Sequence, residues 1–169
     1  MNQPDRNPDP TAWPHEKIRS AALVYINRHT ASKTEWCFTI LDALAQRLSR
    51  VVKLSENERP IVSCFVSAQR WYAMTTTRVF GIFDGSPFSC SPLDVTQWRW
   101  GDFKHGGRSE VEVATLSIAN GTHIRLAYES GPAAMAAISY ERFWITEYPG
   151  LIAQSFGEGS AFGGSASTT

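Results

Sequence analysis

Residues 70–84 read Arg70-Trp71-Tyr72-Ala73-Met74-Thr75-Thr76-Thr77-Arg78-Val79-Phe80-Gly81-Ile82-Phe83-Asp84. Two short runs of aromatic and β-branched residues, 70–75 and 78–83, meet at a Thr-Thr-Thr corner, which is the composition of paired strands. Working outward, Ile61–Val66 is a further apolar run on the N-terminal side. On the other side Asp84-Gly85 is a turn, Phe88–Ser91 a strand stopped by Pro92, and Asp94–Phe103 the next strand. Alternation in that strand puts Trp98 and Trp100 on one side and Gln97 and Arg99 on the other. Lys104 to Arg108 form a Gly-containing loop. Val111–Ala119 follows, and its alternation slips between Val113 and Leu116, which predicts a bulge. Asn120-Gly121 predicts a tight hairpin into Thr122–Tyr128. Gly131-Pro132 then opens a helix through Trp144, with Ala133, Ala136, Ala137, Tyr140, Phe143 and Trp144 on its apolar face.

Ahead of the strands the period changes. Ile18, Ala22, Tyr25 and Ile26 share one face of a helix that starts near Pro14 and ends at His29-Thr30. Ser32-Lys33-Thr34-Glu35 fits a capping box and predicts a second helix to about Lys53. Its stripe is Trp36, Ile40, Leu44, Leu48 and Val51. The predicted organisation is a disordered tail over 1–13, a two-helix arm over 14–59, a β domain with its C-terminal helix over 60–148, and a flexible Gly/Ser-rich tail over 149–169. The expected fold class is α+β: two N-terminal helices packed on a seven-stranded antiparallel barrel or sandwich, closed by the C-terminal helix.

Composition narrows the function. The chain has 169 residues and is 43% hydrophobic, enough to bury a core without staples. Sixteen Lys+Arg balance sixteen Asp+Glu, so a nucleic-acid partner is not expected. Cys37, Cys64 and Cys90 are an odd set with no Cys-x-x-Cys spacing, which predicts free thiols rather than disulfides or zinc. Pro4, Pro8 and Pro10 with Asp5 and Asp9 leave no apolar signal core at the start, so a cytoplasmic location is expected. Nucleotide-loop, hydrolase-elbow and zinc-protease motifs are all missing. The four histidines show no ligand spacing. The reading is therefore non-enzymatic, without cofactor or metal.

Several elements together resemble bacterial pleckstrin-homology-like and GRAM-like domains over residues 60–146. They are Trp71-Tyr72-Ala73-Met74-Thr75-Thr76, Arg78-Val79-Phe80-Gly81-Ile82, Pro92-Leu93-Asp94-Val95, the Asn120-Gly121 hairpin and Gly131–Trp144. The resemblance does not reach the N-terminal helices. It implies a non-catalytic binding platform for lipid headgroups, peptides or proteins. Lipid-binding members carry several cations on and beside the first loop. The matching loop here is Ser67-Ala68-Gln69 with a lone Arg70, which shifts the expectation from lipid to protein.

The expected partner-binding rim is Trp98, Arg99, Trp100, Lys104, His105 and Arg108, since aromatics and Arg anchor interfaces. The competing reading buries Trp98 and Trp100 in the sheet interior. Exposed stripes on the helical arm would instead form a homodimer face. The leading function is an intracellular protein-binding module, an adaptor or an immunity-type protein that blocks a partner such as a cognate toxin. One rival is a peripheral membrane domain using Lys104–Arg108. The other is a cysteine-dependent hydrolase pairing Cys90 with His105 or His123 and oriented by Asp94.

Overall fold

The computed structural model describes residues 13–104 and 110–151. Helix α1 spans Trp13–His29. Strand β1 is Thr39–Leu41, β2 Pro60–Ser67, β3 Arg70–Thr75, β4 Val79–Phe83 and β5 Ser86–Cys90. Strand β6 is Val95–Arg99, β7 Val111–Ile118 and β8 His123–Glu129; helix α2 is Ala134–Arg142. Beyond α2 the helix widens into a π turn over Phe143–Glu147.

All strand pairs are antiparallel, in two sheets ordered β1-β2-β3-β4-β5 and β6-β7-β8. This corrects the expected class. The α+β content holds, but the sheets share no ladder and do not close a seven-stranded barrel. One helix, not two, precedes the strands.

The residues read as a second helix fold differently. Lys33–Glu35 make one 3₁₀ turn, and Ser32 sits at φ 53 with no side-chain cap bond, so the capping box does not form. Cys37 and Phe38 then bend into β1, which pairs with β2 through Thr39↔Cys64, Ile40↔Ser63 and Leu41↔Val62. The cause lies far along the chain. The Glu129 carboxylate accepts the backbone N–H of Cys37 at 2.6 Å, of Phe38 at 2.9 Å and of Thr39 at 2.9 Å. A helix would spend those donors elsewhere, so this acceptor selects the bend that delivers the chain to β1. Leu48 still buries itself, but from a short turn lying on the sheet. There the Ser63 hydroxyl donates to Ala43 O and accepts from Ala45 N. Val51, assigned to the helical stripe, is 74% exposed.

The main core lies between the sheets and the two helices. Ile18, Ala22 and Ile26 of α1 meet Val62, Cys64, Tyr72, Met74 and Val79 of the larger sheet. Ala114, Leu116, Leu126 and Tyr128 come from the smaller sheet, and Ala134, Ala136 and Ala137 let α2 approach closely. Buried apolar surface at roughly 25 cal/mol per Å² is the main stabilising term here.

Turn chemistry sets the registers. Asp84 at φ 48 and Gly85 at φ 81 form the two-residue turn between β4 and β5, as read from the sequence. The Asn120-Gly121 corner is longer than expected: Gly121 at φ 87 closes a loop in which Ile118 N–H donates to Thr122 O at 2.8 Å. The bulge expected between Val113 and Leu116 is absent, since β7 pairs continuously with β8. The slip falls instead between Val95 and Gln97 of β6.

A buried ion pair braces the Thr-rich corner. Glu58 is 3% exposed. Its oxygens accept from Arg78 Nε at 2.8 Å, Arg78 Nη2 at 3.1 Å, the Thr75 hydroxyl at 2.7 Å and Ser55 N–H at 3.1 Å. Arg78 also stacks on Phe80, 4.1 Å from the ring centroid. Burial alone would raise the Glu58 pKa, but these bonds outweigh it and hold the carboxyl below its ordinary value of 4.5. Its contribution is therefore complete above the unfolded-state pKa and is lost as pH falls through the lowered folded value. Arg78→Met keeps the packing and strands the carboxylate. The Arg78 side chain is 35% exposed, so water softens the penalty. The expected cost is about 2 kcal/mol in urea unfolding at pH 7, shrinking below pH 4.

Candidate functional site

The smaller sheet has one apolar and one polar face. The cross-strand row Trp98↔Leu116↔Ile124 faces the core. The rows on either side, Arg99↔Thr115↔Arg125 and Gln97↔Ser117↔His123, face outward. Strands are spaced by about 4.8 Å, so the Arg99 and Arg125 backbones lie about 10 Å apart with Thr115 between them. Gln97, Arg99, His123 and Arg125 are exposed and the two hydroxyl residues are half-buried. These six side chains carry two guanidiniums, an imidazole, two hydroxyls and an amide, and no carboxylate. The His123 ring lies 3.2 Å from the Ser117 hydroxyl.

At the β8 edge this face turns into a groove. The groove has a volume of about 670 Å³ and is lined by Phe83, Asp84 and Ser86 to Ser89 from the β4–β5 hairpin and by Thr122 to Arg125. It opens where the two sheets fail to join. Phe83 is buried at its base. The Arg125 guanidinium lies 4.7 Å from the Phe83 centroid and that of Arg70 5.6 Å away. Arg70 is neutralised by Asp84 at 2.6 Å. Arg125 has no carboxylate partner among the described residues; the ring face holds it by a cation–π contact. In a two-residue hairpin the residues flanking the turn bond to each other, so Pro87 comes at a position whose N–H would point away from β4. That is where proline is tolerated, and it blunts this edge against strand addition.

The residues expected at the rim separate. Trp100 is buried and Trp98 half-buried; they stack with centroids 5.6 Å apart inside the core, beside Tyr128 and Tyr140. Arg99 is exposed on the opposite face, in the row with Arg125. Lys104 is exposed, its Nζ 5.9 Å from the Phe103 centroid. His105 and Arg108 lie outside the described residues.

Trp100 donates its Nε1–H to Glu141 of α2, and the Tyr128 hydroxyl donates to the Trp100 carbonyl. Burial pushes the Glu141 pKa up, with the tryptophan bond only partly offsetting it. A raised carboxyl pKa costs stability as pH rises through it. Glu141→Gln keeps an acceptor for Trp100 and removes the charge. The variant is expected to melt a few degrees above the wild type at pH 8, with the difference closing at pH 4.

Among the described residues Cys90 and His123 do not come together; His105, the other expected partner of the thiol, lies outside them. Cys90 lies on the inner side of the larger sheet, whereas His123 sits on the outer face of the smaller one, bonded to Ser117. Burial pushes the Cys90 thiol up to about 11, and the nearby Asp94 charge adds to this, the opposite of activation. Burial likewise pushes Cys64 up to about 12. No group of three or more His, Cys, Asp or Glu that could hold a metal occurs among the described residues. No described helix is long and apolar enough to cross a membrane.

No protein-family model, curated protein or solved structure matches the chain.

Proposed function

We propose that this protein is a non-catalytic protein-binding module, an adaptor or an immunity-type protein that occupies a partner's surface. The observation that carries the reading is the continuous surface formed by the polar face of β6–β8 and the groove beside β5. It combines an aromatic base, exposed arginines without an acid partner among the described residues, and hydroxyls. Arg is enriched at interface anchors, and a groove of this size admits a side chain or an extended segment. The order of strands β2–β5, then β6–β8, then α2 supports the resemblance to pleckstrin-homology-like platforms. The raised thiol pKa values weigh against a cysteine hydrolase. The lipid reading is weaker: Val113, 39% exposed in the row beside Thr115 and Arg125, is a small apolar anchor, and a membrane clamp needs larger apolar side chains beside its cations.

A photoreactive amino acid placed at Ser89 or Gln97 in producing cells should crosslink to a discrete second polypeptide. The same group at Lys53, an exposed residue just past the 46–51 turn, should not. Equal crosslinking from all three positions, or none from any, contradicts the proposal.

A further inference from the structure

We infer that the outward face of β6–β8 recognises an acidic, extended segment of a partner protein, with Arg99 and Arg125 as its two anchors. The inference rests on the protein-binding reading and adds the chemistry of the partner. Registers across β6, β7 and β8 place Arg99, Thr115 and Arg125 in one row and Gln97, Ser117 and His123 in the next. A typical exposed sheet face alternates charge signs, since opposite-charge cross-strand pairs stabilise it. Here neither the Arg99–Thr115–Arg125 row nor the Gln97–Ser117–His123 row contains an acid. The nearest carboxylate lining the groove, Asp84, is already bound to Arg70.

Arg125 is also held in place before any ligand arrives. Its guanidinium rests on the Phe83 ring at 4.7 Å, so less side-chain entropy is lost when a carboxylate binds. A planar guanidinium takes a carboxylate through two parallel N–H bonds. With their backbones about 10 Å apart, the two arginines suit same-facing carboxylates two or four residues apart on an extended chain, roughly 6.6 or 13 Å, a difference their long side chains span. The intervening Thr115 and Ser117 hydroxyls and the Gln97 amide suit the backbone of such a chain. A nucleic-acid strand would need stacking aromatics among these cations, and the sheet's tryptophans face the core instead.

The test is a titration of the ¹⁵N-labelled full chain with an acetylated, amidated decapeptide of alternating Asp and Thr. An Asn-Thr peptide and phosphatidylserine vesicles serve as comparisons. The acidic peptide should shift the amides of residues 97–99, 115–117 and 123–125. It should leave those of Arg47, Arg50 and Lys53, an exposed cation group elsewhere, nearly unmoved. Arg99→Glu with Arg125→Glu should weaken binding about tenfold or more while the spectrum stays folded. Binding should also weaken steeply between about 50 and about 300 mM salt. Shifts centred on residues 47–53, no response to the acidic peptide, or an equal response to the Asn-Thr peptide each overturn the inference. So does binding to vesicles alone. If the acidic peptide fails while crosslinking from Ser89 or Gln97 still captures a protein, only the acidic chemistry falls. If crosslinking also fails, the protein-binding reading falls with it.

Discussion

Glu129→Ala is expected to destabilise the protein by about 4 kcal/mol and to free β1 from the sheet. Glu129 is 3% exposed, and three consecutive backbone N–H groups converge on its carboxylate. No cation accompanies it among its bonded partners, so those amides carry the whole burden of stabilising a buried charge. Each hydrogen bond to a charged group contributes roughly 1.5–3 kcal/mol, and alanine leaves all three donors without their acceptor. The sum is reduced because Cys37 is an exposed residue, so its amide can exchange this bond for one to water. Glu129→Gln retains an oxygen but turns an NH₂ toward the donors, so it should fall between the wild type and alanine. Denaturant unfolding gives the stability, and hydrogen exchange at residues 37–39 reports the strand itself. A loss under about 1 kcal/mol, or unchanged protection at those amides, contradicts the role assigned to Glu129.

Gly81→Ala should cost about 3 kcal/mol, from steric conflict rather than a lost bond. A methyl group at Gly81 would lie 2.1 Å from the Trp71 carbonyl oxygen and 2.8 Å from the Tyr72 Cα. Both are backbone atoms of β3, so no rotamer change relieves the clash. The strands must part instead, in the middle of the five-stranded sheet. Gly150→Ala is the control: nothing lies within 4 Å of the added methyl, and stability should change by less than about 0.5 kcal/mol. Equal effects at the two positions would contradict the close β3–β4 approach.

The strands around residues 70–84 were legible because aromatic alternation and the Asp84-Gly85 turn point to the same structure. The N-terminal half was not. Trp36, Ile40, Leu44 and Leu48 repeat at helical spacing, yet Trp36-Cys37-Phe38-Thr39-Ile40-Leu41 is equally a strand composition. The choice is made by Glu129, some 90 residues away in the chain. No local pattern contains that information. Closure of the barrel was likewise beyond reach, because whether β5 and β8 join depends on twist and edge chemistry rather than on either strand alone.

The candidate site was half legible. Alternation separated Arg99 from Trp98 and Trp100 correctly. What no single strand reveals is the register that sets Arg99 and Arg125 on either side of Thr115. The sequence reading therefore grouped Arg99 with its chain neighbours, two of which turn into the core. Phe83, which holds Arg125 by its ring face, belongs to another sheet and carries no sequence mark of that contact.

Hydrogen exchange of the chain within its purified complex tests the proposed function most directly. The prediction is slowed exchange at residues 95–99, 113–117 and 122–125 and along the groove at 86–89, with α1 and the 45–53 turn unchanged. Protection confined to α1 or to the 45–53 turn, with β6–β8 exchanging as in the free protein, would contradict it.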